Sequence, residues 1–288
     1  MSCNVLEIEH LRLVLSNGGR AIVDDLSFSV HGGATVALVG ESGCGKTMTT
    51  MAVMGLLPPG IRRIGGTIVV DGQDVSQLSP EAYRRLRNER AAVVMQNPMS
   101  AFDPVLTIDR HFRETLASHG TEDRGEIHAR AAEALAEVGF DDPAAILALY
   151  PFQMSGGMLQ RVMLAIALIA SPPLVIADEA TSDLDVLSQA RILRLLKTHC
   201  EKHHSALLLI THDLSVAAGL ADEVVLMKAG RLVEKSATRH FFQNPQTPYA
   251  QTLIALHRGM YTPRYRQAIS LVKAREGKAD VMMEGSTA

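Results

Sequence analysis

The residues able to do chemistry begin with Gly40-Glu41-Ser42-Gly43-Cys44-Gly45-Lys46-Thr47, which meets every fixed position of the phosphate-loop pattern G-x-x-x-x-G-K-[ST]. Glycines let the backbone turn sharply and bring consecutive amide N–H groups against phosphate oxygens. A helix starting there points the positive end of its dipole at the same anion. Lys46 offers a mobile point charge for the β- and γ-phosphates, and the Thr47 hydroxyl suits Mg²⁺. The stretch therefore predicts a nucleoside triphosphate as ligand. A second site follows where the apolar run Leu174-Val175-Ile176-Ala177 ends in Asp178-Glu179. A carboxylate at the C-terminal edge of a strand lies where parallel sheets bind ligands, so Asp178 can hold Mg²⁺ directly or through water. Glu179 is the candidate to polarise an attacking water. Cys44, close to a helix N-terminus, is expected to have a lowered thiol pKa, so that alkylation blocks ATP binding and ATP protects.

These residues need elements to hold them. Val36 to Val39 reads as a buried strand into the loop, and Met48 to Leu57 as a helix ended by Pro58-Pro59. Upstream, Leu6, Ile8, Leu11 and Leu13 alternate, and the pattern resumes over Ala21 to Val30 after Asn17-Gly18-Gly19, which predicts an antiparallel hairpin. Thr67 to Val70 and Ala91 to Met95 read as strands, and Ser79-Pro80-Glu81 starts a helix whose Arg84, Arg85, Arg87 and Arg90 read as a solvated face. From Asp103 to Ala170 the pattern is helical, an inserted subdomain, with Ala129 to Val138 and Leu159 to Ile169 its clearest segments. Beyond Asp178, a helix over Leu187 to Cys200 alternates with a strand over Ala206 to Ile210 leading to Thr211-His212. A hairpin around Lys228-Ala229-Gly230 closes the series. Strands alternating with helices predict an α/β fold with a mostly parallel sheet and an N-terminal antiparallel part. Residues 1–245 read as one domain and 246–288 as a C-terminal extension, with a helix over Tyr249 to Leu256 and a polar tail from Lys273 expected to be partly disordered.

With 47% hydrophobic and 20% charged residues in 288, a sizeable core is available and wholesale disorder is excluded. A net charge of −3, few aromatics and no Trp argue against a nucleic-acid partner. The 3 cysteines stand at Cys3, Cys44 and Cys200, too scattered for a disulfide framework, which fits a reducing compartment. The start, Met1-Ser2-Cys3-Asn4, lacks the blocks of a signal peptide, and the uncharged run Val162 to Ala177 is too short to span a bilayer. Membrane association is therefore expected through a partner. His199-Cys200 and His203-His204 read as an exposed helix end rather than a metal site.

Met154-Ser155-Gly156-Gly157-Met158-Leu159-Gln160-Arg161 resembles the signature motif of ABC ATPases. Gln96 sits where that family has its Q-loop glutamine, Ser182-Asp183-Leu184-Asp185 resembles its D-loop, and His212 its switch histidine. The resemblance covers roughly residues 5 to 245. It implies a P-loop NTPase core with ATP and Mg²⁺ as ligands, Gln96 serving both nucleotide and metal, and Glu179 and His212 acting in hydrolysis. It further implies a head-to-tail pair in which Ser155, Gly156 and Gly157 complete the site on the other subunit. Two departures are visible. The stretch where the family commonly carries an adenine-stacking aromatic is Leu13-Val14-Leu15, and the usual proline after the Asp-Glu pair is Ala180, which is expected to loosen that loop.

Within the family the chain resembles the peptide and nickel importer branch. Asn244-Pro245-Gln246-Thr247-Pro248-Tyr249, Met95-Gln96-Asn97-Pro98 and Leu149-Tyr150-Pro151-Phe152 carry that likeness. Peptide importers of the branch often hold iron–sulfur cysteines in the C-terminal extension, and none follows Cys200. The expected role is then an import motor at the cytoplasmic face of the inner membrane, with nickel as solute ahead of peptides or metal chelates. Expected partners are a second, different ATPase subunit, two integral membrane permease subunits and, indirectly, an extracytoplasmic solute-binding protein. The competing class, an ABC ATPase acting on DNA or ribosomes, tends to carry long coiled coils or two ATPase domains, neither of which this sequence shows.

Overall fold

A computed structural model describes residues 4–181 and 186–257. The D-loop-like segment Ser182 to Asp185 and the polar tail lie outside the described residues. The strands are β1 (Asn4–Leu15), β2 (Ala21–His31), β3 (Thr35–Gly40), β4 (Ile61–Val70), β5 (Gln73–Asp74), β6 (Ala91–Met95), β7 (Leu174–Asp178), β8 (Ala206–Thr211), β9 (Glu223–Lys228) and β10 (Arg231–Ala237). The helices are α1 (Lys46–Val53), α2 (Pro80–Glu89), α3 (Ile108–Ser118), α4 (Arg124–Glu137), α5 (Pro143–Leu147), α6 (Gly156–Leu168), α7 (Val186–His203), α8 (Leu214–Leu220), α9 (Thr238–Gln243) and α10 (248–257).

A 6-stranded sheet runs in the order β10-β9-β3-β8-β7-β6, parallel except where β10 returns against β9. A 4-stranded antiparallel sheet, β2-β1-β4-β5, covers part of one face. Every residue of β3 and β8 is buried, as expected of strands covered on both sides. Their side chains then divide with period two. Leu174 and Ile176 of β7 and Leu208 and Ile210 of β8 face the antiparallel sheet and α1. Val175, Ala177, Leu207 and Leu209 face the helical layer, where Phe112 of α3, Leu135 of α4 and Leu159 of α6 pack. Ala37 and Val39 of β3 meet a third cluster built on Leu214, Phe241, Ala250 and Ile254, from α8, α9 and α10.

The hairpin is as expected, with Leu6 opposite Val30 and Ile8 opposite Phe28, but the alternation breaks between Ile8 and Leu11. His10 there has φ +52°, so a bulge inserts one residue and returns Leu11 to the core face. Helix α1 stops at Val53, well before Pro58, because Gly55 turns the chain with φ +64°. The arginine face of α2 is only half solvated. Arg84 and Arg85 are exposed, but Arg87 donates to the Met54 carbonyl at 2.8 Å and Arg90 to Asp71 at 2.9 Å, tying the helix to the end of α1 and to the β4–β5 turn.

Candidate nucleotide-binding site

Parallel strands bring their carboxyl ends to one edge, and the sheet delivers the motifs there in register. Gly40 ends β3, Met95 ends β6 with Gln96 next, Asp178 ends β7, and Thr211 ends β8 with His212 next. Val39 pairs with Thr211 and Asp178 with both Met95 and Ile210. A cleft of about 450 Å³ opens at this edge, lined by Ser42, Thr47, Gln96, Asp178 and Glu179 among others.

Gly40 and Gly45 need to be glycine. A Cβ on Gly40 would lie 2.4 Å from the Met227 carbonyl oxygen. One on Gly45, whose φ is +109°, would lie 2.9 Å from that of Ile22. Between them Lys46 folds back, its Nζ donating to the carbonyls of Gly40 (2.8 Å) and Glu41 (2.9 Å). The ammonium is thus parked inside the loop that its charge must serve. Thr47 Oγ1 stands 3.4 Å from Asp178 Oδ1, and burial raises the Asp178 pKa against the hydrogen bond from Thr47. A hydroxyl and a carboxylate in contact, with the Gln96 amide on the same cleft, form a set of hard oxygen donors that fits Mg²⁺. That cation would also relieve the Asp178 charge from which burial withholds water.

Glu179 follows in a left-handed conformation, φ +49°, which turns it away from the strand direction of Asp178. Its N–H donates to the Ile210 carbonyl at 3.0 Å, and its Oε1 lies 3.3 Å from His212 Nδ1. Where the usual proline is replaced by Ala180, the backbone has a side-chain partner. Gln160, buried on α6, donates to the Ala180 carbonyl and, at 3.4 Å, to that of Met95, so one side chain ties the signature helix to both strand ends. Sequence reasoning passed over Gln160. Its signals were its place in the signature-like stretch and a glutamine on the apolar face of α6, between Leu159 and Val162 to Leu164.

Ser155 is the N-cap of α6, its hydroxyl accepting from the Met158 N–H at 3.3 Å. Ser155 and Gly156 are exposed, and none of Ser155, Gly156 and Gly157 lines the cleft. A Cβ on either glycine would meet nothing within 4 Å in this chain. Of Leu13-Val14-Leu15, the first two are buried and only Leu15, 37% exposed, is free to meet a base.

Two expectations are corrected. Cys44 is 4% exposed and its thiol pKa is raised, because burial outweighs the pull of Lys46. The helix N-terminus acts on its backbone while its sulfur sits in the core. The histidine-rich end of α7 is not simply exposed either. Cys200 is buried and pushed up to about 12, and His199 Nε2 is buried without a partner, its imidazole stacked 4.3 Å from that of His203. Among the described residues no group of three or more His, Cys, Asp and Glu comes together there or elsewhere.

A family profile described as ABC transporter matches residues 23–182. Nickel import ATP-binding protein NikD of Pseudomonas putida is 42% identical over 257 residues, 89% of this chain and 97% of that one. The protein of the same name from Rhodospirillum rubrum is 41% identical over 240 residues, 83% and 89% of the two chains. Among solved structures, a dimeric bacterial ABC transporter cassette superposes with a TM-score of 0.73 at 24% identity, covering 81% of this chain and 99% of that one, a likeness of fold. An ATP binding subunit of an ABC transporter superposes with a TM-score of 0.71 at 26% identity, over 88% and 99%.

Proposed function

This chain belongs to the ABC transporter family, and from that premise we propose that it is the ATP-hydrolysing subunit of a nickel importer. The observation that carries the motor is the convergence of Lys46, Thr47, Gln96, Asp178, Glu179 and His212 on one sheet edge. The solute rests on the nickel import relatives, which match this chain along nearly their whole length.

In this reading the amides of 40–45 cradle the triphosphate, and Lys46 leaves the Gly40 and Glu41 carbonyls to meet the β- and γ-phosphates. Thr47, Asp178 and Gln96 would hold Mg²⁺, which would supply positive charge to offset that of the triphosphate. Glu179 takes the proton of the attacking water, and His212, 3.3 Å from it, steadies both the carboxylate and the γ-phosphate. Ser155, Gly156 and Gly157 act on the other subunit's nucleotide. Glycines whose Cβ positions are open within the protomer suit a phosphate arriving from outside it. ATP is then the glue of a closed pair and hydrolysis its release.

No helix among the described residues is long and apolar enough to cross a membrane. Attachment to the cytoplasmic face falls to permease subunits, with a second ATPase chain completing the motor. Met99, Val105, Tyr150 and Phe152 are exposed apolar side chains on the Q-loop and helical layer and offer the contact surface. The test is uptake in cells lacking this chain and given back either the wild type or Lys46→Ala. Labelled nickel should enter only with the wild type. Restored uptake of a dipeptide with nickel unaffected would move the protein to the peptide branch.

A further inference from the structure

The C-terminal stretch Asn244 to Tyr249 has no part in the hydrolytic site, yet it is firmly built in. Glu234, buried on β10, accepts from the N–H groups of Gln246 (3.1 Å) and Thr247 (2.9 Å) and from the Thr247 hydroxyl (2.9 Å), which fixes the start of α10. Ala250 and Ile254 then seat the helix in the core. From that base the Tyr249 hydroxyl donates to Glu41 Oε1 at 2.9 Å, and the Lys228 ammonium lies 4.1 Å from the Tyr249 ring centroid.

Glu41 is the one acidic residue of the loop. Its carbonyl belongs to the cradle, since it accepts from Lys46, but its carboxylate is turned to Tyr249 and does not line the cleft. A carboxylate free to swing beside a triphosphate would repel it. We propose that Tyr249 is a positioning residue for ATP, its hydroxyl holding the Glu41 carboxylate away from the phosphates so that the C-terminal helix sets the affinity of the loop. The inference rests on the reading of 40–47 as the triphosphate cradle. Burial, then the bond to Glu41, raises the Tyr249 phenol to about 12, so the hydroxyl keeps the proton it donates.

The test is equilibrium binding of radiolabelled ATP with Mg²⁺ to the full chain. Tyr249→Phe keeps the ring and its contact with Lys228 while removing the hydroxyl. Its Kd should rise about 5-fold at about 0.01 M salt, where the Debye length is about 30 Å, and less than about 2-fold at about 1 M, where it is about 3 Å. In a Glu41→Gln background, Tyr249→Phe should change nothing. A wild-type Kd in Tyr249→Phe would overturn the inference, and so would a defect that persists beside Glu41→Gln. Lys46→Ala separates the two levels. If it binds ATP like wild type, the cradle reading fails; if it does not bind while Tyr249→Phe binds normally, only the role of Tyr249 fails.

Discussion

Glu179 holds its place by backbone means, a left-handed φ fixed by its own N–H on Ile210 and by Gln160 on the next carbonyl. The backbone fixes where the side chain starts and His212, 3.3 Å from Oε1, gives the carboxylate a partner, which suits a base that must meet one water. Glu179→Gln keeps the shape and removes the proton acceptor. We expect ATP binding within about 2-fold of wild type and turnover in the assembled transporter down by about 10²–10⁴; turnover equal to wild type would remove Glu179 from that role. Cys44 invites the opposite sort of experiment. With its sulfur buried and its pKa raised, it should resist iodoacetamide near neutral pH in the folded chain and react in urea, as peptide mapping would read. Rapid labelling of folded protein would mean that the loop opens far enough to expose its core side. The phosphate loop was legible because its chemistry is contiguous, with cradle, lysine and hydroxyl at fixed spacing in one stretch. Gln160 and the Glu41–Tyr249 bond were not, since each joins segments far apart in sequence and no local pattern marks a buried amide or a turned carboxylate.

At the scale of elements, what the sequence revealed was periodicity backed by length. The alternation of β1 and β2 and the apolar runs of β3, β7 and β8 were readable, while α8 and α9, short helices whose burial depends on β9 and α10, carried no period of their own. The end of α7 misled for a related reason. Histidine and lysine near a helix terminus look solvated, but α7 lies against α4 and the end of α6. They leave a cavity of about 210 Å³ lined by Arg130, Glu133, Glu137, His199, Lys202 and His203. Burial, helped by His203 and Lys202, lowers the His199 pKa to about 4 from 6.5. The unfolded chain therefore binds this proton more readily than the folded one. The stability associated with neutral His199 is fully present above about pH 6.5 and is lost as pH falls towards about 4. Urea midpoints should accordingly fall between pH 7 and pH 5, and His199→Gln, which cannot titrate, should fall less. Parallel curves for the two proteins would place the acid sensitivity elsewhere.

For the whole molecule, the decisive fact is a separation. One protomer gathers Ser42 and Thr47 of the phosphate loop with Gln96, Asp178 and Glu179 at a single cleft, His212 standing 3.3 Å from Glu179, but Ser155, Gly156 and Gly157 begin α6 outside it, exposed or half-buried. If the two surfaces work in trans, lesions in them must fall on different nucleotides. In a pair formed with an unaltered ATPase subunit, Lys46→Ala on this chain removes the site built on its own loop and leaves the partner's loop facing an intact signature. Ser155→Arg does the reverse, blocking the partner's nucleotide with a side chain where α6 begins. Each single variant should therefore retain ATP at one site, and the double variant at neither, as measured by nucleotide trapped per pair when the hydrolytic glutamates are also changed to Gln. Were both lesions to act on one site within the protomer, the double variant would trap as much as either single one, and the head-to-tail arrangement would be wrong. The same measurement reads the ATP-driven pairing itself. In the proposed head-to-tail pair, each triphosphate would bridge a helix N-terminus on one chain and an amide cradle on the other, so loss of the second site should weaken association in proportion.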